Sequence, residues 1–327
     1  MKHAIIKTFL IFPLLIFSSL TLAYEPGSKT ECIAPADPGG GWDFTCRNAA
    51  NVFQELGLVP KTMQTINMAG AGGGVAFAHT VSKRRGDDDL LVAASTSTVT
   101  RLAQGQFPGM DASMVNWLGT IGADYGVIAV SKDSPYHNLN ELMDAMKQDP
   151  RAVKFAGGSA NGGWDHLKVL IAAKAAGVEN LPRIPYLSYN NGGEALTQLV
   201  GGHVGAFTGD ITEAKGFFES GDIRVLAVLS EDRLPGAFST IPTAREQGID
   251  AIGANWRGFY MPVDIDDDAK QYWVDAIDKL YASDQWKKVM KSNGLMPFHP
   301  DSSEFEAFVK QQIQDIQSLS KEIGLIQ

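Results

Sequence analysis

A chain of 327 residues with a formal net charge of -9 and a hydrophobic fraction of 44% is long enough to bury a large core and, at roughly 150 residues per domain, to form two lobes. Its acidity excludes nucleic acid and anionic membrane surfaces as natural partners, and rules out long-range attraction as the means of capturing an anionic ligand.

Residues 1–23 join a basic start, Lys2 and Lys7, to an apolar run over 9–20 and small residues up to Ala23. This is the pattern of a cleaved secretory signal, with the mature chain beginning at Tyr24. The run falls short of the ~20 residues needed to span a bilayer, and no cysteine follows it to carry a lipid anchor. The expectation is a soluble periplasmic protein, with no membrane insertion once the signal is removed.

Cys32 and Cys46 are the two cysteines. In an oxidising compartment they have one way to pair, and a disulfide would tie the first strand to the first helix; two buried free thiols are the alternative. Without a nearby histidine they supply too few ligands for a metal site.

Short apolar runs then alternate with longer amphipathic ones: Glu31–Ala34 with 43–56, 90–94 with a helix-like stretch, 154–156 with 165–176. That alternation predicts an α/β fold of mixed, mainly parallel sheets flanked by helices. The strand candidates at 127–130 and 224–229 have no helix of their own and read as the two connections between lobes. Lobe one is then 24–127 plus 230–327, and lobe two is 128–229, with the ligand in a hinged cleft between them. In the C-terminal stretch Trp273, Trp286, Phe305 and Phe308 fall at helical spacing and read as core packing.

The chemical signal lies in the glycines. Gly39, Gly40 and Gly41 precede Trp42 and Asp43; Gly70, Gly72, Gly73 and Gly74 precede Val75; Gly157 and Gly158 lead through Ser159, Asn161, Gly162 and Gly163 to Trp164; Asn190, Asn191, Gly192 and Gly193 precede Glu194. Several of these clusters follow a predicted strand and precede a predicted helix. Glycine lets a ligand approach main-chain N–H groups, and the first N–H groups of a helix lack internal partners and favour negative charge. Several such ends converging would hold an anion without a lysine. Taken singly, each cluster could equally be a tight turn that serves helix–sheet packing.

The segment Pro38-Gly-Gly-Gly-Trp-Asp43 resembles the first signature of the tripartite tricarboxylate transporter receptors. The resemblance continues through Gly70-Ala-Gly-Gly73, Ser95-Thr-Ser97, the stretch from Tyr189 to Gly202 with Leu196 and Leu199, Arg233-Leu-Pro235, and Ile241-Pro-Thr243 to Gly248. It covers essentially the whole mature chain, and the opening Glu31-Cys-Ile-Ala-Pro with its paired cysteines is most similar to citrate-type receptors. Two departures are Arg85-Gly-Asp-Asp-Asp89 before the second strand and Trp164-Asp165 in the second-lobe turn.

The resemblance implies a type II-like periplasmic binding protein with a citrate or related tricarboxylate gripped by loops of both lobes, and a large and a small membrane subunit as partners. Carried over, the ligand-binding residues of lobe one are Gly39, Gly40, Gly41, Trp42, Asp43, Ala71, Gly72 and Gly73, with Ser95, Ser97 and Thr98 as hydroxyl donors. Lobe two supplies Ser159, Asn161 and Gly162, with Tyr189, Asn190 and Asp210 nearby. Such hydroxyls and amides donate to carboxylates yet allow release. Arg47 and Arg101 would add charge-assisted bonds, or Arg47 pairs with Asp43 one helical turn away. Asp43 reads as a brace or cap for the glycine loop; receiving a ligand hydroxyl, or meeting a Na⁺ or Mg²⁺ that accompanies citrate, are its other roles. No resident cofactor is expected.

Catalysis finds no support. Gly157-Gly-Ser-Ala-Asn161 lacks the final glycine of a nucleophile elbow; there is no His-Glu-x-x-His, no phosphate-loop lysine and no complete dinucleotide fingerprint, and His166 reads as a packing residue. A receptor of the same fold that serves a sensor kinase, binding dicarboxylates or other small carboxylates, is the alternative.

Overall fold

The computed structural model describes residues 24–327; the expected secretion signal at 1–23 lies outside them. Three strand–helix units come first: β1 (Glu31–Ala34) with α1 (Gly41–Glu55), β2 (Gln64–Asn67) with α2 (Gly74–Lys83), and β3 (Leu90–Ser95) with α3 (Thr96–Ala103). The long strand β4 (Val115–Ser131) leads to α4 (Leu139–Gln148), β5 (Phe155–Gly157), α5 (Trp164–Ala175), β6 (Tyr186–Ser188), α6 (Gly192–Val200), β7 (Ala206–Asp210), α7 (Ile211–Glu219) and β8 (Ile223–Val228). The chain ends with β9 (Ala254–Pro262), α8 (Asp267–Ala282), α9 (Asp284–Asn293) and α10 (Phe305–Glu322).

The strands run in the order β2-β1-β3-β9-β4-β7-β5-β6, with β8 also on β4. The expected mixed α/β architecture is present, and its parallel pairs are those made by strand–helix units: β1 with β2 and β3, β5 with β6 and β7. Every pairing of β4 or β9 is antiparallel. Of the two, β4 carries the chain between halves. Residues 115–125 of β4 pair with β9, whereas 126–131 pair with β7 and β8, so one continuous strand belongs to both half-sheets.

Three chain passages meet at that transition. The Gly126 N–H donates to the Gly253 carbonyl at 2.9 Å, Leu229 N–H to Gly126 at 2.7 Å, and Gly253 N–H to Leu229 at 2.8 Å. The forward crossing expected at 127–130 is therefore one end of a 17-residue strand. The return differs from the expected boundary near residue 230. After β8 the chain folds back along it, Val228 N–H donating to Pro242 and Ala244 N–H to Val228, and it rejoins the first half-sheet only at Ala254. Apolar side chains explain the detour: Leu234, Phe238 and Ile241 pack with Phe207, Ile211 and Val225 of the second half.

The first half is closed at its back by α1, α8 and α9, whose Phe53, Trp273, Ile277 and Trp286 are fully buried against Leu91, Phe259 and Met261. Trp286 and Trp273 each spend their indole N–H on a main-chain carbonyl, of Ile121 and Asp88, so these large apolar groups are buried without an orphaned donor. Phe305 of α10 packs edge-on to Trp117 and Trp256. The C-terminal aromatics are thus core, as their spacing indicates, with Phe308 partly buried beside Phe298.

Cys32 of β1 and Cys46 of α1 form a disulfide inside this core. Closing a loop of about 15 residues restricts the unfolded chain by about 3 kcal/mol. The double variant Cys32→Ser/Cys46→Ser should lose about that much in urea denaturation, and dithiothreitol should lower the wild-type midpoint without affecting the variant; an unchanged wild-type midpoint would show that the bond contributes nothing.

Candidate ligand-binding cleft

A cleft of about 210 Å³ opens between the halves. Helix starts dominate its walls. The first half contributes Gly40, Gly41 and Trp42 at the head of α1, the turn 70–73 ahead of α2, and Ser97 in the first turn of α3; the second contributes Gly163–Asp165 at the head of α5, Asn191 before α6, and Asp210 and Glu213 at α7. The cap of α1 is Gly40, which has no side chain to occupy the first N–H groups, so they remain available to an anion.

The turn before α2 is set by backbone geometry. Gly70, Ala71, Gly72 and Gly73 have φ of 132°, 51°, 61° and 95°, four successive residues in a region that L side chains enter at a cost of roughly 1–2 kcal/mol each. Three are glycine, and the alanine is the exception. At Gly41 the constraint is space: a Cβ there would overlap the guanidinium of Arg257.

Of the residues expected to bind ligand, Gly40, Gly41, Trp42, Ala71, Gly72, Gly73, Ser97, Ser159, Tyr189, Asn190 and Asp210 line this cleft. Gly39, Asp43, Ser95, Thr98, Asn161 and Gly162 stand behind its walls. The Asp43 carboxylate accepts the Gly39 N–H at 3.0 Å, the Asn67 amide at 2.8 Å and Arg47 Nε at 2.9 Å, which braces the glycine loop. Burial opposes this carboxylate, but those three donors hold its pKa below the ordinary value. Arg47 is thereby the i, i+4 partner of Asp43 and lies outside the cleft. Ser95 and Thr98 are consumed in the capping box of α3, where Ser95 Oγ also accepts Trp42 Nε1 at 3.1 Å.

Asn161 and Gly162 join the two halves. Arg101 Nη1 of α3 donates to the Asn161 carbonyl at 3.2 Å, and Nε2 of Gln104, the residue that ends α3, to that of Gly162 at 2.7 Å. Arg101 itself lines the cleft. His166 is a packing residue, stacked on Tyr186 at 4.6 Å and accepting the Gly162 N–H, and burial pushes its pKa down to about 4.

The sequence reading missed the floor of the cleft. Arg257 of β9 donates through Nη2 to Asp124 of β4 at 2.8 Å and to Asp210, the last residue of β7 and cap of α7, at 2.7 Å. Lys168 of α5 meets Asp165 at 2.9 Å and also Asp210, and Asn255 Nδ2 donates to Asp210 at 2.6 Å. Glu213 accepts the Gly192 N–H at 3.1 Å. Lys168 and Arg257 are almost fully buried, at 0% and 3% exposure. Four acids share two cations, and burial near like charges makes full ionisation unfavourable. Burial, then Asp210 and Asp165, pushes Glu213 up to about 8; burial and Asp210 raise Asp124 to about 6. Burial also works against Asp210, yet Lys168 and Arg257 hold it below the ordinary value. Apart from the i, i+3 pair of Lys168 with Asp165, the ionic partners lie 42 to 133 positions apart, and no local motif announces them. Arg257 was visible only as a cation within an apolar strand.

Residues 50–325 match the family described as the tripartite tricarboxylate transporter family receptor. The chain belongs to that family. Its members are solute receptors and not enzymes, and so is this chain. The receptor is 26% identical over 306 residues to a UPF0065 protein of Bordetella pertussis, covering 92% of this chain and 91% of that one, and 25% identical over 303 residues to BugT of the same organism, covering 91% and 90%. Its fold is similar to a solved Rhodopseudomonas palustris protein with adipate, at TM-score 0.82 and 21% identity over 90% of this chain and 97% of that one. A second from that organism, MatC with bound malate, gives TM-score 0.78 and 18% identity over 89% and 98%. Among the described residues no helix is long and apolar enough to cross a membrane, and no group of three or more His, Cys, Asp or Glu is placed to hold a metal.

Two outcomes follow from the floor. Gly41→Ala should force Arg257 aside, costing about 1–3 kcal/mol in thermal or urea unfolding as other overpacked sites do, together with a measurable loss of ligand affinity; wild-type stability would mean the guanidinium has room to move. For pH, a buried acid with a raised pKa binds its proton more tightly in the folded state, so stability falls as pH rises through the shifted range. Above pH 7 folded Asp124 is largely ionised and His166 is largely neutral in both the folded and the unfolded chain, leaving Glu213 as the acid that acts between pH 7 and 8. Apo-receptor stability should decline across that window, and Glu213→Gln should abolish the decline; equal slopes would contradict the assignment.

Proposed function

We propose that this receptor works in the periplasm, where it captures a small polycarboxylate, with citrate or a related tricarboxylate as the leading ligand, and delivers it to the large and small membrane subunits of a tripartite tricarboxylate transporter. One observation carries the reading: in a chain of net charge -9, the cleft gathers the uncapped starts of α1 and α2 together with Arg257 and Arg101. Peptide N–H groups and guanidinium forks are the natural partners of carboxylates, and their field is local, so the acidic surface does not cancel it. Several separate donor sets suit a ligand with more than one carboxylate.

The two halves act as lobes that close on the ligand. Closure is stabilised only by a ligand with higher affinity for the closed form, which requires donors on both sides; the turn 70–73 and Ser97 face Ser159 and Asn190 across the cleft. A dicarboxylate is the second reading, favoured by similarity of fold to proteins solved with malate and with adipate. A Na⁺ or Mg²⁺ travelling with citrate belongs to the proposal as part of the ligand.

Calorimetric titration with citrate, isocitrate, aconitate, tricarballylate, malate and adipate, with and without Na⁺ and Mg²⁺, tests this. At least one polycarboxylate should bind about 100-fold or more tightly than acetate, given about 1.4 kcal/mol for each tenfold and at least two additional charge-assisted bonds. Binding no stronger than that of acetate across the panel would reject the reading.

A further inference from the structure

Asn255 and Arg257 stand two positions apart on β9 and therefore share one face of the strand, the face that floors the cleft. Each has one buried polar atom without a hydrogen-bond partner: the Asn255 carbonyl oxygen Oδ1 and Arg257 Nε. Both residues are nine-tenths or more buried, at 2% and 3% exposure. The identity of the Asn255 oxygen is fixed by chemistry, because its other amide atom is 2.6 Å from the Asp210 carboxylate and only an N–H can occupy that position. Arg257 is likewise fixed, since its Nη2 is spent on Asp124 and Asp210.

The β9 face of the cleft thus holds an unused acceptor and an unused donor on residues two positions apart. A ligand carboxylate satisfies Nε but is repelled by Oδ1; an ammonium satisfies Oδ1 but is repelled by the guanidinium. A hydroxyl donates to one and accepts from the other. Leaving both unmet is costly, because a buried polar atom that loses water and gains no partner keeps its full desolvation penalty.

We propose that Asn255 and Arg257 form a hydroxyl-receiving pair, so that this receptor selects hydroxylated polycarboxylates over their deoxy analogues. The inference rests on the carboxylate reading above and narrows its ligand class.

The experiment compares matched acids by calorimetry on the full mature receptor: citrate against tricarballylate, and malate against succinate, each pair differing by one hydroxyl. Wild-type receptor should favour the hydroxylated member of the pair it binds by about 10- to 100-fold, the range expected for leaving buried partners unsatisfied. In Asn255→Leu, checked for folding by circular dichroism, the ratio of the two affinities within a pair should fall to within a few-fold. Equal wild-type affinities within a pair would overturn the inference and leave the carboxylate reading standing. An undiminished hydroxyl preference in folded Asn255→Leu would also overturn it. Failure of all four acids to bind would overturn both, and the wild-type comparison decides the matter even if the variant does not fold.

Discussion

The constraint on which the molecule turns is the burial of Arg257. Its guanidinium lies under the head of α1, where only glycine leaves room for it, and it binds at once the long shared strand through Asp124 and the second half through Asp210. Removing one partner of such a buried pair is costly because the other charge is left stranded. The ligand cleft, the join between halves and the first glycine turn consequently depend on a single cation. The chain's overall acidity and the proposed capture of an anion are compatible for this reason: the cations that matter are few, dry and surrounded by acids that are not all ionised.

Glycine has two jobs in this architecture. In the turn at 70–73 it supplies a backbone path that side chains resist, with Ala71 alone carrying strain. At Gly41 and Gly192 it supplies room, since a Cβ would overlap Arg257 and Glu213 respectively. The packing explanation of these clusters and the ligand-binding one are therefore complementary. Main-chain N–H groups reach the cleft because the same missing side chains let buried charges pack beneath them.

Much of this was legible along the chain. Strand–helix units announced themselves by alternation, the cysteines by their single pairing, and the C-terminal aromatics by helical spacing. The glycine turns announced the walls of the cleft. What stayed hidden has a common physical character: it depends on partners distant in sequence. Asp43 could be read as a ligand residue until Gly39, Asn67 and Arg47 were seen to surround it. Asn161 sits in a motif that faces ligand by analogy, yet its carbonyl serves Arg101 of the other half. The return to the first half-sheet was placed too early because residues 229–253 lack strand periodicity while packing on the second half.

A crystal structure of the receptor with bound citrate tests the central claim most directly. The account predicts one carboxylate within hydrogen-bonding distance of the main-chain N–H groups at the head of α1 and the turn 70–73, and a guanidinium of the cleft against the bound acid. Citrate seated on surface lysines, or in the cleft with those N–H groups turned away from it, would contradict the account.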